Sequence, residues 1–167
     1  MNQEAGDFAC VSMGGAGGRL IGFAERLTGS AYSEYQHAFV YAGGGQVVQA
    51  EPGGAVASPL GGYGKIVWST GRIALTPAQR TAICAAAMRC TSPRPVGYSW
   101  LDYLAIALHH LRVPAPGLRR YIGDTRHMIC SQLVDQCYAD AGVHLFADGR
   151  WPGYVTPADL AGLLEAP

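Results

Sequence analysis

Apolar residues recur at every second position in short runs through the N-terminal half of the chain, and at every third or fourth position beyond Thr76. Gly6-Asp7-Phe8-Ala9-Cys10-Val11 alternates weakly and runs into Ser12-Met13-Gly14-Gly15, which predicts a short strand opening onto a glycine turn. Arg19 to Leu27 has helical spacing. His37 to Ala42 and Gln46 to Glu51 predict the two arms of a hairpin around Gly43-Gly44-Gly45, with Val47 and Val48 adding β-branched weight. After the interruption at Pro52-Gly53-Gly54, Ala55-Val56-Ala57 and Lys65-Ile66-Val67-Trp68 supply further strands of the same antiparallel sheet.

The helical half begins with a capping signature. Thr76 is placed to cap, Pro77 fits the first helical position, and Gln79 completes a capping box ahead of Ile83, Ala86, Ala87 and Cys90. Ser99 to Leu111 carries one apolar stripe through Trp100, Tyr103, Leu104, Ala107, Leu108 and Leu111. A third helix opens at Cys130 and buries Leu133, Val134, Cys137, Tyr138 and Ala141. Thr156-Pro157-Ala158-Asp159 starts a short terminal helix through Leu164 by the same chemistry. There is no internal repeat or long linker, and Pro93 to Pro95 and Val113 to Gly117 read as loops. Residues 1–167 are therefore expected to form one α+β domain.

Composition narrows the function classes. A chain of 167 residues, 49% hydrophobic, is large enough for a substantial core. Its 12 basic and 12 acidic residues cancel and are scattered, so the electrostatic footprint of a nucleic-acid or anionic-membrane binder is missing. No apolar run approaches the ~20 residues of a membrane span, and the first residues do not resemble a signal peptide, so synthesis in the cytoplasm is expected, with any later delivery elsewhere requiring another route. The five cysteines are odd in number and sit in apolar contexts, which favours reduced thiols. Cys130 and Cys137 share one helix about 10 Å apart along its axis, too far for a bridge.

Cys130 stands where an extended approach gives way to a helix, so its sulfur would meet free N–H groups and the positive end of the helix dipole, which favour thiolate. An unperturbed cysteine is only slightly ionised at neutral pH and needs a base. His37, at the start of a strand in Gln36-His37-Ala38-Phe39-Val40-Tyr41, is the first choice; His127, near Cys130 in a loop, is a substitute base or pocket lining. His109 and His110 adjoin on a helix and point in different directions. No C-x-x-C spacing supports a zinc site, and Gly14 to Gly18 lacks the Lys-Ser or Lys-Thr of a phosphate loop, so neither metal nor cofactor is expected. Cys84, Cys90 and Cys137 read as buried structural thiols.

Two blocks of the chain resemble the NlpC-type papain-like cysteine peptidases and amidases. Gly6-Asp7-Phe8, then His37-Ala38-Phe39-Val40-Tyr41, the glycine turn and Val47-Val48-Gln49-Ala50 are similar to the histidine block. Gly97-Tyr98-Ser99-Trp100, Cys130-Ser131-Gln132-Leu133-Val134 and Ala141-Gly142-Val143-His144-Leu145 are similar to the cysteine block. The histidine block comes first here, which resembles the circularly permuted branch of the family, as does the Val155-Thr156-Pro157-Ala158-Asp159-Leu160 tail. Because such a site is assembled in space, chain order need not alter its chemistry. Ile129 replaces an acidic residue frequent before the cysteine, and Gln132 a frequent glycine.

The resemblance implies an antiparallel sheet packed against a cysteine-bearing helix, and a cysteine hydrolase cleaving an amide bond through an acyl-enzyme. The implied substrate is a peptide of bacterial peptidoglycan, cut between D-glutamate and a diamino acid. Cys130 would attack, His37 would move the proton, and a polar residue would orient the imidazole. Gln49 takes the family position for that third role, while Glu51, on the same strand face, lies opposite His37 if the hairpin is centred on Gly44. The turn register is left to decide between them. Tyr98 is implied as an oxyanion donor beside the Cys130 N–H, although by residue type it and Trp100 suit core packing better than substrate contact. Two other classes stay open: a lipid acyltransferase or thioesterase on the same scaffold, marked by a wide apolar groove beside Cys130, and a non-catalytic component of a larger assembly such as a phage particle.

Overall fold

A computed structural model describes residues 2–12, 34–51, 54–91, 129–149 and 155–165. The expected helices at Arg19 to Leu27 and Ser99 to Leu111, together with Tyr98, Trp100, His109, His110, His127 and the Gly14 to Gly18 run, lie outside the described residues.

The chain is α+β. Strands β1 (Phe8–Val11), β2 (His37–Gly43), β3 (Gln46–Glu51), β4 (Gly54–Pro59) and β5 (Ile66–Trp68) form an antiparallel sheet in the order β4-β3-β2-β1-β5. Three helices are described: α1 (Pro77–Cys90), α2 (Cys130–Asp140) and α3 (Pro157–Glu165). The hairpin turn between β2 and β3 is Gly44-Gly45, with φ of 60° and 76°, the positive pair that a two-residue turn needs to follow strand twist. Gly43 pairs with Gln46 beside the turn, and beyond a bulge between Tyr41 and Gly43 the register shifts to Tyr41 with Val47 and Val40 with Val48, so that this part of the hairpin is centred on Gly44.

Alternation along the strands gives the sheet two different faces. Phe8, Cys10, Ala38, Val40, Val48 and Ala50 join one core with Ile83, Ala86 and Ala87 of α1, Leu133, Val134, Cys137 and Tyr138 of α2, and Leu160 and Leu164 of α3. The other face carries Ala9, Val11, Phe39, Tyr41 and Val47 under Leu60, Tyr63 and Trp68.

Capping fixes where the helices start. Thr76 accepts from the Gln79 N–H while the Gln79 side chain accepts from the Thr76 N–H, closing the expected box on α1. Thr156 and Asp159 make the equivalent exchange on α3. Ile129, ahead of α2, has no side-chain acceptor; the Gln132 amide oxygen instead accepts the Ile129 N–H at 3.1 Å, so Gln132 supplies half a cap.

Gly6-Asp7 anchors the sheet to α1. The Asp7 side chain, with no exposed surface, accepts from Arg80 Nη1 at 2.8 Å, the Thr70 hydroxyl at 2.7 Å and the Glu4 N–H at 2.8 Å. Gly6, at φ 89°, passes so close to α1 that a Cβ would sit 2.9 Å from the Arg80 Cα, and its carbonyl accepts the Tyr138 hydroxyl at 2.7 Å. One correction concerns the thiols expected to be buried: Cys137 is, whereas Cys84 and Cys90 are half-buried.

Candidate active site

The sheet and α2 bring Cys130, His37 and Gln49 together at one end of β2. His37 opens that strand opposite Val11 of β1, Gln49 comes from β3, and Cys130 is the first residue of α2. All three are buried, with 1%, 8% and 5% of their surfaces exposed. His37 Nε2 lies 2.8 Å from Gln49 Oε1, and the His37 ring is hydrogen-bonded to the Cys130 thiol. With Nε2 engaged by Gln49, Nδ1 is the nitrogen left for sulfur.

The hairpin register alone does not foretell this pairing. A Gly44-centred hairpin carries His37 level with Glu51, yet the imidazole bonds the diagonal neighbour Gln49, a separation that long side chains span. Glu51 stands behind Gln49, accepting from its Nε2 at 2.7 Å. Two residues without any sequence signal complete the surroundings: the Tyr63 hydroxyl donates to Gln49 Oε1 at 2.9 Å, and Gln49 Nε2 donates to Ser58 Oγ at 3.1 Å. Tyr63 also sets its ring 6.4 Å from the His37 ring. It comes from the Gly61-Gly62-Tyr63-Gly64 stretch, which has no periodicity to reveal a facing direction.

Two backbone N–H groups, of Ala38 and Ser131, also donate to the Cys130 sulfur. Tyr41 N–H points at β1, bonding Asp7 O, so by alternation the Ala38 N–H points toward β3. The β2–β3 register pairs run from Val40↔Val48 to the turn, so Ala38 lies just past them. Ser131 is in the first helical turn, where amide protons have no intrahelical partner. Its hydroxyl donates to Val155 O at 2.7 Å and ties the start of α2 to the approach to α3.

Electrostatics favour an ion pair. Burial is the largest influence on the Cys130 thiol and pushes it up, but the charge and hydrogen bond of His37 with the Ala38 and Ser131 N–H groups outweigh it, and the net shift is downward. Burial likewise pulls His37 down most strongly, yet the charge and hydrogen bond of Cys130, the Gln49 bond and the Glu51 charge carry it above its ordinary value. Nearby Cys10 is pushed up, first by burial and then by the charge of Cys130, and stays protonated. A thiolate beside an imidazolium can attack an electrophilic carbon and return a proton to a leaving group.

Among the described residues no group of three or more His, Cys, Asp and Glu side chains could hold a metal ion, and no helix is long and apolar enough to cross a membrane. A hollow of about 710 Å³ lined by Glu4, Thr70, Arg72, Leu75 and Arg80 lies beside Asp7, away from Cys130. No protein-family model matches the chain, and no curated protein matches it.

Proposed function

We propose that the protein is a permuted, NlpC-type papain-like cysteine hydrolase that cleaves an amide bond in a bacterial cell-wall peptide. The hydrogen-bonded run from Cys130 through His37 to Gln49, at the N-terminus of a helix, carries this reading. The Cys130 thiolate attacks the amide carbon; a C–S bond forms and the carbonyl electron pair moves to oxygen, which the Cys130 backbone N–H and, by family resemblance, Tyr98 receive. As the carbonyl reforms, the C–N bond breaks and His37 gives its proton to the departing amine, leaving a thioester. Water then attacks the thioester, His37 takes the water's proton, and the carboxylic acid departs as the C–S bond breaks and the thiolate is restored. Gln49 keeps the imidazole in the plane that serves both transfers.

The test is capture of the acyl-enzyme. The protein is incubated with a muropeptide stem containing the D-glutamyl–diamino acid bond, quenched in acid and examined by intact and peptide mass spectrometry. The expected result is an acyl adduct on the peptide containing Cys130, absent from Cys130→Ala and accumulating in place of turnover in a burst. No adduct, together with Cys130 labelling by iodoacetamide no faster than Cys84 or Cys137, would overturn the proposal.

A further inference from the structure

We infer that Glu51 is a positioning residue: its carboxylate holds the Gln49 amide in the one orientation that puts the neutral His37 proton on Nε2 and leaves Nδ1 open to Cys130. The inference rests on the hydrolase reading above and deepens it.

The argument begins with what an amide can do. Gln49 has an oxygen that accepts twice and a nitrogen that donates twice. All four capacities are used, with His37 Nε2 at 2.8 Å and the Tyr63 hydroxyl at 2.9 Å on the oxygen, and Glu51 at 2.7 Å and Ser58 at 3.1 Å on the nitrogen. Turning the amide over would place its nitrogen against His37 and Tyr63. A hydroxyl can reverse its role, so neither Tyr63 nor Ser58 forbids that turn. A neutral imidazole can reverse as well, by moving its proton to Nδ1. While His37 is an imidazolium its Nε2–H also forbids the turn, but once His37 is neutral only the Glu51 carboxylate, which when ionised accepts and never donates, is incompatible with an oxygen facing it. The turned state therefore places two oxygens about 2.7 Å apart with no proton between them, and although the Glu51 carboxylate is exposed, the Gln49 end of the contact is buried and would lose its partner there.

The consequence for chemistry is direct. In the turned state Nδ1 carries the proton and cannot accept one from the thiol, so the base is silenced without moving. Glu51 also acts by charge. Among the described residues, the titratable groups facing His37 are Cys130 from α2, Glu51 from β3 and Tyr63 ahead of β5; Cys10 of β1 lies nearer Cys130. Cys130 is the direct partner, and Tyr63 is pushed up by burial, so it stays neutral. Among the described residues, Glu51 is thus the one remaining anion that favours imidazolium, which holds its two protons and donates from both nitrogens.

The decisive comparison is the native protein, Glu51→Gln, Glu51→Ala and His37→Ala, read by the pH dependence of Cys130 alkylation with neutral iodoacetamide and anionic iodoacetate. Nitrogen-15 spectra of the His37 ring supply the tautomer. Glu51→Gln is the same size and has an amide of its own that tolerates either orientation of Gln49. We expect the alkaline limb of iodoacetate labelling, which follows loss of the imidazolium, to move to lower pH by roughly 0.5–1 unit in both Glu51 variants. In neutral His37, the Nε2–H signature of the native protein should give way to a mixture with Nδ1–H. A Glu51 variant that melts lower but keeps the native limb and the native tautomer would make Glu51 structural only and would overturn the inference, with the hydrolase reading intact if His37→Ala still abolishes the fast labelling. Native-like labelling of Cys130 in His37→Ala would instead remove the hydrolase reading, and the inference with it.

Discussion

Cys130 and Cys137 lie two turns apart on α2, each with 1% of its surface exposed, and their acidities move in opposite directions. At Cys130 burial is overcome by an imidazole and two N–H donors. At Cys137 the leading influence is a hydrogen bond with the Cys90 thiol, burial follows, and both push it up, so it keeps its proton throughout the physiological range. Same helix and same depth therefore give opposite chemistry. The deciding difference is what the sulfur faces: Cys130, at the first position, meets unspent amide protons and the end of a strand that presents a base, whereas the amides around Cys137 are consumed by the helical ladder. A buried thiol whose partner is another thiol keeps its proton, and a buried thiol beside a charged imidazole is shifted toward thiolate.

The contrast breaks most completely at the base. His37→Ala should lower Cys130 alkylation in mildly acidic solution, and turnover of an amide substrate, by about 10²–10⁴-fold, leaving Cys130 as unreactive as Cys137. Site-resolved mass spectrometry after timed iodoacetamide treatment reads both cysteines in one sample. The fold is a separate lever. Arg80→Ala strands the Asp7 carboxylate, which is fully buried, while the Arg80 side chain is 19% exposed. A loss of about 3 kcal/mol, the low end for breaking a buried pair, is expected in urea unfolding, with Cys130 still labelled ahead of Cys137 in the folded protein.

Much of this geometry could be read from residues in order, and the unread part has a common character. Thr76-Pro77-x-Gln79, the His37 hairpin around its glycines and the helix opening at Cys130 are local patterns, because caps, turns and alternation act over a few residues. The choice between Gln49 and Glu51 was not local. Alternation put both on the face of His37, but the diagonal reach of one side chain and the hydrogen-bond capacity of the other decided their roles. Tyr63, Ser58 and the Ala38 N–H were invisible for related reasons: the loop that carries Tyr63 has no period, Ser58 lies one residue past the Ala55-Val56-Ala57 run that predicts β4, and a main-chain donor has no letter.

Removing the third member of the run sharpens the contrast less than removing the base. Gln49→Ala leaves His37 without the acceptor at Nε2, and Tyr63 without its own. The expected cost is about 1–3 kcal/mol of orientation, a fall of roughly 5- to 150-fold in kcat/KM. Labelling of Cys137 should not change. pH gives the same comparison without mutation. Because the Cys130 shift is downward, its thiolate exists where ordinary thiols are protonated; because the His37 shift is upward, its imidazolium survives to higher pH than a free histidine. The ratio of Cys130 to Cys137 labelling should therefore already be high in that window and change little as pH rises through the ordinary thiol range, because Cys137 keeps its proton there. A ratio that climbs steadily with pH would mean that Cys130 titrates as an ordinary buried thiol.

The smallest effect is expected at Cys137 itself. Its sulfur fills space between α1 and α2 and touches the Cys90 thiol, close to where Arg89 Nη2 meets Asp140 Oδ2 at 3.3 Å. Cys137→Ala removes one polarisable atom from a packed core, a cavity smaller than that left by truncating a leucine, and should cost about 0.5–1.5 kcal/mol. Cys130 alkylation should stay within about twofold of native, because none of the groups that make it acidic depends on Cys137. If the Cys130 rate falls as far as it does in His37→Ala while the protein remains folded, the register of α2 against the sheet is held by the Cys90–Cys137 contact. The helix that presents the nucleophile would then be positioned from its far end rather than by Ser131 and Gln132 at its start.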